Sequence, residues 1–294
     1  MKISTETASL HKLVGHEKAV EYIAKAGFDA WDFSITELID VVAWNWDTGI
    51  KTPVFEYRDS NLLGSDYLAY ARKLKQIGLD NGITCNQSHA PYPSDVPDVR
   101  SYFKRAIECT AEAGGKICVI HPDCTISPEG NAEMYGEILP FAKSYGVKIA
   151  TENMWDWDKA KGHSCFASCA TPKSFNEHLD LVNDDYFVAC LDIGHAEMKG
   201  SDTTAAEMVK ELGSRLQALH IHDNDKLNDN HEIPFSMNID FEPIVRALKE
   251  IDYKGEFTLE AATYLTKFTP ETALQGACDL AKSARRLADM FDAM

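Results

Sequence analysis

The stretch Tyr145-Gly146-Val147-Lys148-Ile149-Ala150-Thr151-Glu152-Asn153 carries the pattern of the whole chain in one unit. An amphipathic run closes on a glycine, a short apolar run follows, and an acidic residue stands at its end. Glycine after a helix supplies the left-handed C-cap conformation at no steric cost. An apolar run this short, bounded this way, reads as a buried parallel strand. The same punctuation recurs at Ala26-Gly27-Phe28, Asn81-Gly82-Ile83, Ala113-Gly114-Gly115 and Tyr253-Lys254-Gly255.

Outward from that unit, strands are predicted at 3–7, 30–35, 83–89, 116–121, 148–153, 187–193, 216–222 and 256–261. Helical patterns fall between them at 16–26, 66–81, 96–113, 128–145, 172–181, 203–212 and 241–251. A last helix spans 270–291, with Thr269 as N-cap and Pro270 in the first helical position. Strand–helix units joined by right-handed crossovers close into a (β/α)8 TIM barrel of the α/β class. A doubly wound sheet is disfavoured, because no Gly-rich phosphate loop follows the first strand. No linker or low-complexity tract interrupts residues 1–294, so a single barrel domain is expected.

Hydrophobic residues make up 45% of the chain, enough for a large core, and the formal net charge of −17 repels phosphate backbones. Lys and Arg form no run longer than two, so no nucleic-acid partner is expected. The start, Met1-Lys2-Ile3-Ser4, lacks a signal-peptide core, and no apolar run approaches the ~18 residues of a membrane span. A reduced, cytoplasmic protein without a membrane partner is the expectation. Most of the eight cysteines sit inside strands or helices, where the residue behaves as a small hydrophobe. Cys165-x-x-x-Cys169, preceded by His163, reads as an ordinary loop.

Functional side chains of such a barrel stand at the C-terminal strand ends. Those ends here carry His89, His121, Glu152, Asp192 with His195, His220 with His222, and Glu260. Alone, each reads as a surface polar residue or an ion-pair partner. Together they are aimed at one small volume by barrel closure. Carboxylates crowded without a counter-charge raise one another's pKa, and a divalent cation resolves the repulsion. Three carboxylates and an imidazole form a hard, oxygen-rich set that suits Mn²⁺ or Mg²⁺, with Co²⁺ or Zn²⁺ as alternatives.

The runs Thr151-Glu152-Asn153, Leu191-Asp192-Ile193-Gly194-His195, His220-Ile221-His222-Asp223-Asn224 and Leu259-Glu260 resemble the sugar phosphate isomerase/epimerase group of the xylose isomerase-like (AP endonuclease type 2) TIM-barrel superfamily. The resemblance covers nearly the whole chain. It implies one metal on Glu152, Asp192, His220 and Glu260. His220 is preferred to His222 because the family pattern reads His-x-x-Asp-Asn, although residues two apart share a strand face. The implied reaction removes a proton beside the carbonyl of a keto-sugar or polyol, through an enediolate, with Glu152 as base and Glu260 as acid. His89, His121, His195, His222, His231 and Trp155 are expected around the substrate, with Trp157 nearby.

A lyase or dehydratase of the inosose dehydratase or 3-keto-glycoside-cleaving kind is the alternative, since it needs the same base. Ketose 3-epimerases carry Arg six residues after the seventh-strand His. Here that position is Lys226, which lacks the bidentate fork. A sensor barrel has no need of both glutamates, and a homo-oligomer is compatible with the resemblance.

Overall fold

The computed structural model describes residues 1–36, 40–45, 52–56 and 61–294. The barrel strands are β1 (Ile3–Glu6), β2 (Ala30–Ser34), β3 (Thr84–His89), β4 (Ile117–Val119), β5 (Lys148–Glu152), β6 (Phe187–Asp192), β7 (Leu216–His220) and β8 (Phe257–Leu259). Hydrogen-bonded neighbours run β7-β6-β5-β4-β3-β2-β1-β8, all parallel. The seam between β7 and β8 closes just beyond β7. There Ile221 N–H donates to Thr258 O and Glu260 N–H to Ile221 O, both at 2.9 Å. The expected (β/α)8 barrel is therefore the fold. Among the described residues, no helix is long and apolar enough to cross a membrane.

Helices cover the outer strand faces because each presents an apolar stripe at helical spacing. Phe103–Ala113, for example, buries Phe103, Ala106, Ile107 and Thr110 on one side. Full burial of a side chain such as Phe103 contributes about 1.5–3 kcal/mol.

Local departures from the sequence reading have identifiable causes. The expected helix over 96–113 divides into Pro97–Arg100 and Phe103–Ala113. Tyr102 N–H reaches back only three residues, to Val99 O at 3.0 Å, while Arg100 turns to Ser94 O and Asp123. The last helix is Ala273–Ala293, with Thr272 rather than Thr269 at the N-cap position. The preceding residues form a turn in which Thr269 N–H donates to Thr272 Oγ1 at 2.9 Å. Gly255 is not a left-handed cap either. That conformation falls on Asp252 (φ 56), and Gly255 instead makes room, since a Cβ there would lie 2.3 Å from Tyr253 Oη.

The segment after β5, read as a loop, is a hairpin of Trp155–Asp158 and His163–Phe166. A second hairpin joins Asp40–Asn45 to Thr52–Glu56.

The barrel interior has two unlike halves. Val119, Ala150, Val188, Cys190 and Ala218 form an apolar cluster on β4 to β7. Across from it, β1, β2, β3 and β8 interlock through polar groups. Ser4 Oγ donates to Asn86 Oδ1 (2.8 Å), Asn86 Nδ2 to Thr258 Oγ1 (3.0 Å) and Gln87 Nε2 to Asp32 Oδ2 (2.9 Å). Side chains two apart share a strand face. His121, Glu152, Asp192 and His220 therefore form the next layer above Val119, Ala150, Cys190 and Ala218, at the C-terminal mouth.

Candidate active site

Glu152, Asp192, His220 and Glu260 each present a ligand atom, and these atoms lie within 4.8 Å of one another. Glu152 Oε2 is 3.0 Å, and Glu260 Oε2 3.4 Å, from His220 Nδ1. The far nitrogen of the ring faces Asp32 Oδ2 at 3.5 Å, and Asp32 is itself held by Gln87. A carboxylate behind an imidazole fixes the tautomer and turns the other nitrogen toward a ligand. Asn153 fixes Asp192 in the same spirit. Its amide donates to Asp192 O at 2.9 Å and accepts Asp192 N–H at 2.8 Å, tying β5 to β6.

Asp192 Oδ1 accepts His195 N–H at 2.7 Å, which leaves Oδ2 for other use. Asp192 Oδ2, Glu152 Oε2 and His220 Nδ1 are all buried and make no hydrogen bond. Each such atom costs about 1–3 kcal/mol when nothing compensates it. Three of them converging, two anionic, is a donor arrangement that a divalent cation fits. Glu152 and Asp192 are closed off from solvent, whereas the Glu260 side chain is 21% exposed at the mouth.

Charge is distributed unevenly over these groups. Burial alone would raise the Glu152 carboxyl, but His220 and His121 hold it well below the usual range. Asp192 is likewise held down, against burial, by His195 and His222. At Glu260 burial wins and pushes the carboxyl up to about 8, with Glu152 and Asp192 adding to the rise. His89 is driven down to about 3 by burial and by the neighbouring His121 and His220, so its ring stays neutral. Its Nδ1–H donates to Ala90 O (2.8 Å), its Nε2 meets His121 Nε2 at 2.9 Å, and His121 lies 3.3 Å from Glu152 Oε2.

His195, His222 and His231 gather on the other side of Asp192, around Asp229. The loop that carries Asp229 and His231 is folded back by Asp223. That carboxylate accepts the N–H groups of Asn224, Met237 and Ile239 at 2.9, 2.8 and 3.0 Å, and its backbone pairs with Glu232 in both directions. Asn224 Nδ2 donates to Gly194 O at 2.8 Å. A Cβ on Gly194 would lie 1.9 Å from His222 Cε1, so the glycine gives that ring its space. Trp155 Nε1–H donates to Asp229 Oδ2 at 3.3 Å. Lys226 pairs with Glu197 at 3.3 Å.

The structure thus brings every ionisable residue expected at the site into one pocket, with Trp155 beside it and Trp157 on the half-exposed hairpin. Sequence reasoning missed Asp32 and Asp229. The available signals were an acid inside the apolar run Trp31-Asp32-Phe33 and the two-residue spacing of Asp229-Asn230-His231.

A family profile described as xylose isomerase-like TIM barrel matches residues 20–288. An uncharacterized protein of Methanocaldococcus jannaschii is 30% identical over 169 residues, which is 54% of this chain and 55% of that protein. Inosose dehydratase of Histophilus somni is 26% identical over 148 residues, 44% of this chain and 46% of that enzyme. The chain spans about half the length of these curated relatives. Among solved structures, a D-tagatose 3-epimerase-like protein matches with a TM-score of 0.72 at 22% identity, over 100% of this chain and 99% of the other. With the profile matched over most of its length, the chain belongs to the xylose isomerase-like TIM barrel family.

Proposed function

We propose that the protein is a metal-dependent isomerase or epimerase of a keto-sugar or related polyol, with the ion of that reaction on Glu152, Asp192, His220 and Glu260. Mn²⁺ suits this oxygen-rich set best, ahead of Mg²⁺, Co²⁺ or Zn²⁺. The observation that carries the reading is the pair of glutamates, from β5 and from the residue after β8, converging on one imidazole at 3.0 and 3.4 Å. Two carboxylates beside one Lewis-acid position are what proton transfer next to a carbonyl requires. A divalent ion held by Glu152, Asp192, His220 and Glu260 would supply Lewis acidity to the substrate carbonyl.

Glu152, kept ionised by its histidine neighbours, takes the proton from the carbon beside the carbonyl at its carboxylate oxygen. Glu260, more open and protonated more readily, returns one. Delivery to the opposite face of the same carbon epimerises, and delivery to the neighbouring carbon isomerises. His121, oriented by the His89 ring behind it, hydrogen-bonds a substrate hydroxyl, and Trp155 lies beside the site.

The D-tagatose 3-epimerase-like neighbour supports a sugar substrate, and the partial match to inosose dehydratase favours elimination as the second reading. Both begin with the same proton abstraction. Incubation with Mn²⁺ and a panel of keto-sugars and keto-polyols in D₂O separates them. Epimerisation or isomerisation incorporates deuterium with no loss of water, and Glu152→Gln and Glu260→Gln each slow exchange by about 10²–10⁴-fold. Loss of water from the substrate assigns the dehydratase instead. No exchange by metal-loaded protein on any keto-sugar or keto-polyol defeats both.

A further inference from the structure

A polar cleft of about 390 Å³ lies where the loops after β4 and β5 start their helices, at the same end of the barrel as the catalytic mouth. It opens between the first turns of the helices Pro128–Ser144 and Pro172–Val182. Both begin alike. An N-cap hydroxyl, Ser127 or Thr171, accepts the N–H of Gly130 or Ser174 at 3.3 Å, and a proline follows the cap. The N–H after each proline, on Glu129 and Lys173, therefore stays outside the helix ladder, and both helix starts turn partial positive charge toward the cleft. The Glu129 carboxylate bends back on Ser127 and its own N–H, which hold it below the usual carboxylate range. Lys173 is exposed, and among the described residues its ammonium pairs with no acid and its N–H with no acceptor.

His178, one turn further along, is the feature that calls for a ligand. It is 3% exposed, and its Nδ1–H donates to Ser174 O at 2.8 Å. Its Nε2, in the wall of the cleft, is buried and makes no hydrogen bond. A buried polar atom left so is costly unless something else completes it. Ser168, Thr171 and Ser174 line the same wall.

We propose that this cleft binds a phosphoryl group, held by the Lys173 ammonium and N–H, the Ser and Thr hydroxyls and His178. Anions are suited to helix N-termini, and phosphate offers several acceptor oxygens to donors that converge. His178 Nε2 accepts the O–H of a phosphate monoanion or, once protonated, donates to the dianion. One proton serves the pair in either form. A divalent cation fits badly, since two helix starts repel it and no group of three metal donors forms here among the described residues. An apolar ligand would leave the hydroxyls and the ring unmatched. Glu177 borders the cleft and Glu129 lies near His178, which confines the positive potential to a single anionic group. The assignment stands whichever reaction the glutamates perform.

The test uses the whole chain, stripped of metal so that phosphate cannot bind through a cation and no turnover is needed. Inorganic phosphate is titrated at constant ionic strength, with chloride as the control, and ¹⁵N resonances are followed. The Lys173 and Ser174 amides and His178 Nε2 should shift saturably, and chloride should not reproduce the shifts. Lys173→Ala, an exposed change, should weaken phosphate by about 10-fold, and Lys173→Glu by about 100-fold. His178→Phe keeps the ring volume without the nitrogen and should weaken it as well. Shifts confined to His195, His222 and His231 at the mouth overturn the proposal, as does an affinity that Lys173→Glu leaves unchanged. A keto-sugar phosphate then identifies the source. Tighter binding than inorganic phosphate, with His121 shifting too, makes the phosphoryl group the tail of the pocket's own ligand. Equal affinity with His121 unmoved makes the cleft a separate anion site.

Discussion

A single methyl group placed on Gly194 tests the packing that shapes this pocket. An alanine Cβ would sit 1.9, 2.3 and 2.6 Å from Cε1, Nε2 and Nδ1 of His222. Carbon atoms in contact stay about 3.5–4.0 Å apart, so the ring would have to retreat by roughly 1.5–2 Å. It has nowhere to go. His222 is fully buried, stacks on His231 with centroids 4.0 Å apart, and meets Asp192 Oδ1 at 3.2 Å. Gly194 is pinned from its own side by Asn224. Overpacking costs about 1–3 kcal/mol, and with neither partner free to yield the upper end applies. At about 2.1 cal/mol/K of unfolding entropy per residue, a chain of 294 residues shifts by about 1.6 °C per kcal/mol, so the melting temperature of Gly194→Ala should fall by about 5 °C. Thermal denaturation of wild type, Gly194→Ala, His222→Ala and the double variant completes the cycle. Because the ring is what the methyl meets, the double variant should be more stable than the sum of the singles by about 1 kcal/mol or more. Additive losses would refute the steric account.

Two further outcomes concern cation binding. Asp32→Asn removes the carboxylate behind His220. At 3.5 Å the contact is long, so Mn²⁺ affinity should fall near the lower end of the usual range, about 10-fold, in a competition titration with a chelating dye. A change within twofold contradicts the orienting role. Cation binding should also expel protons, because burial cannot keep His220, His195 or His231 neutral against their carboxylate neighbours. His231 is held at about 10, chiefly by Asp229, and Glu260 is pushed up to about 8. Calorimetry in buffers of different ionisation enthalpy should then show proton release, with affinity rising from pH 6.5 to 8. Binding that is indifferent to pH would defeat this. The same groups set the sign for stability without metal. Glu260 and His231 hold a proton more tightly folded than unfolded, so their contribution is complete below pH 4.5 and 6.5 and is lost as pH rises through about 8 and about 10. Chelated protein should therefore melt lower at pH 9 than at pH 6, a trend that circular dichroism will show or deny.

Most of the barrel was legible because two local rules suffice for it. Short apolar runs ended by glycine-capped helices mark the strands, and the residues at their C-terminal ends must face the mouth. That reading places Glu152, Asp192, His220 and Glu260 together. It fails to separate the roles of His220 and His222, because both point inward and periodicity treats them alike. Their difference comes from Asp32 behind one ring and Gly194 beneath the other, which are contacts from distant strands. Asp229 was hidden for a similar reason. Its position depends on Asp223 gripping Met237 and Ile239 across the loop, and no spacing rule anticipates such a bond. The hairpin at Trp155–Asp158 and His163–Phe166 lacks an apolar run of its own, since one face of it stays exposed.

The unlike halves of the barrel floor carry a consequence for descent. Beneath Glu152 and Asp192, where Ala150, Val188 and Cys190 lie, the only requirement on a replacement is volume, and lineages can wander there one substitution at a time. Beneath Glu260 and His89 the residues are Thr258, Asn86 and Gln87, matched donor to acceptor with Ser4 and Asp32. A lone change on that side strands a buried partner. Kin of this protein should therefore show independent drift under one pair of site residues and stasis, or paired exchange, under the other.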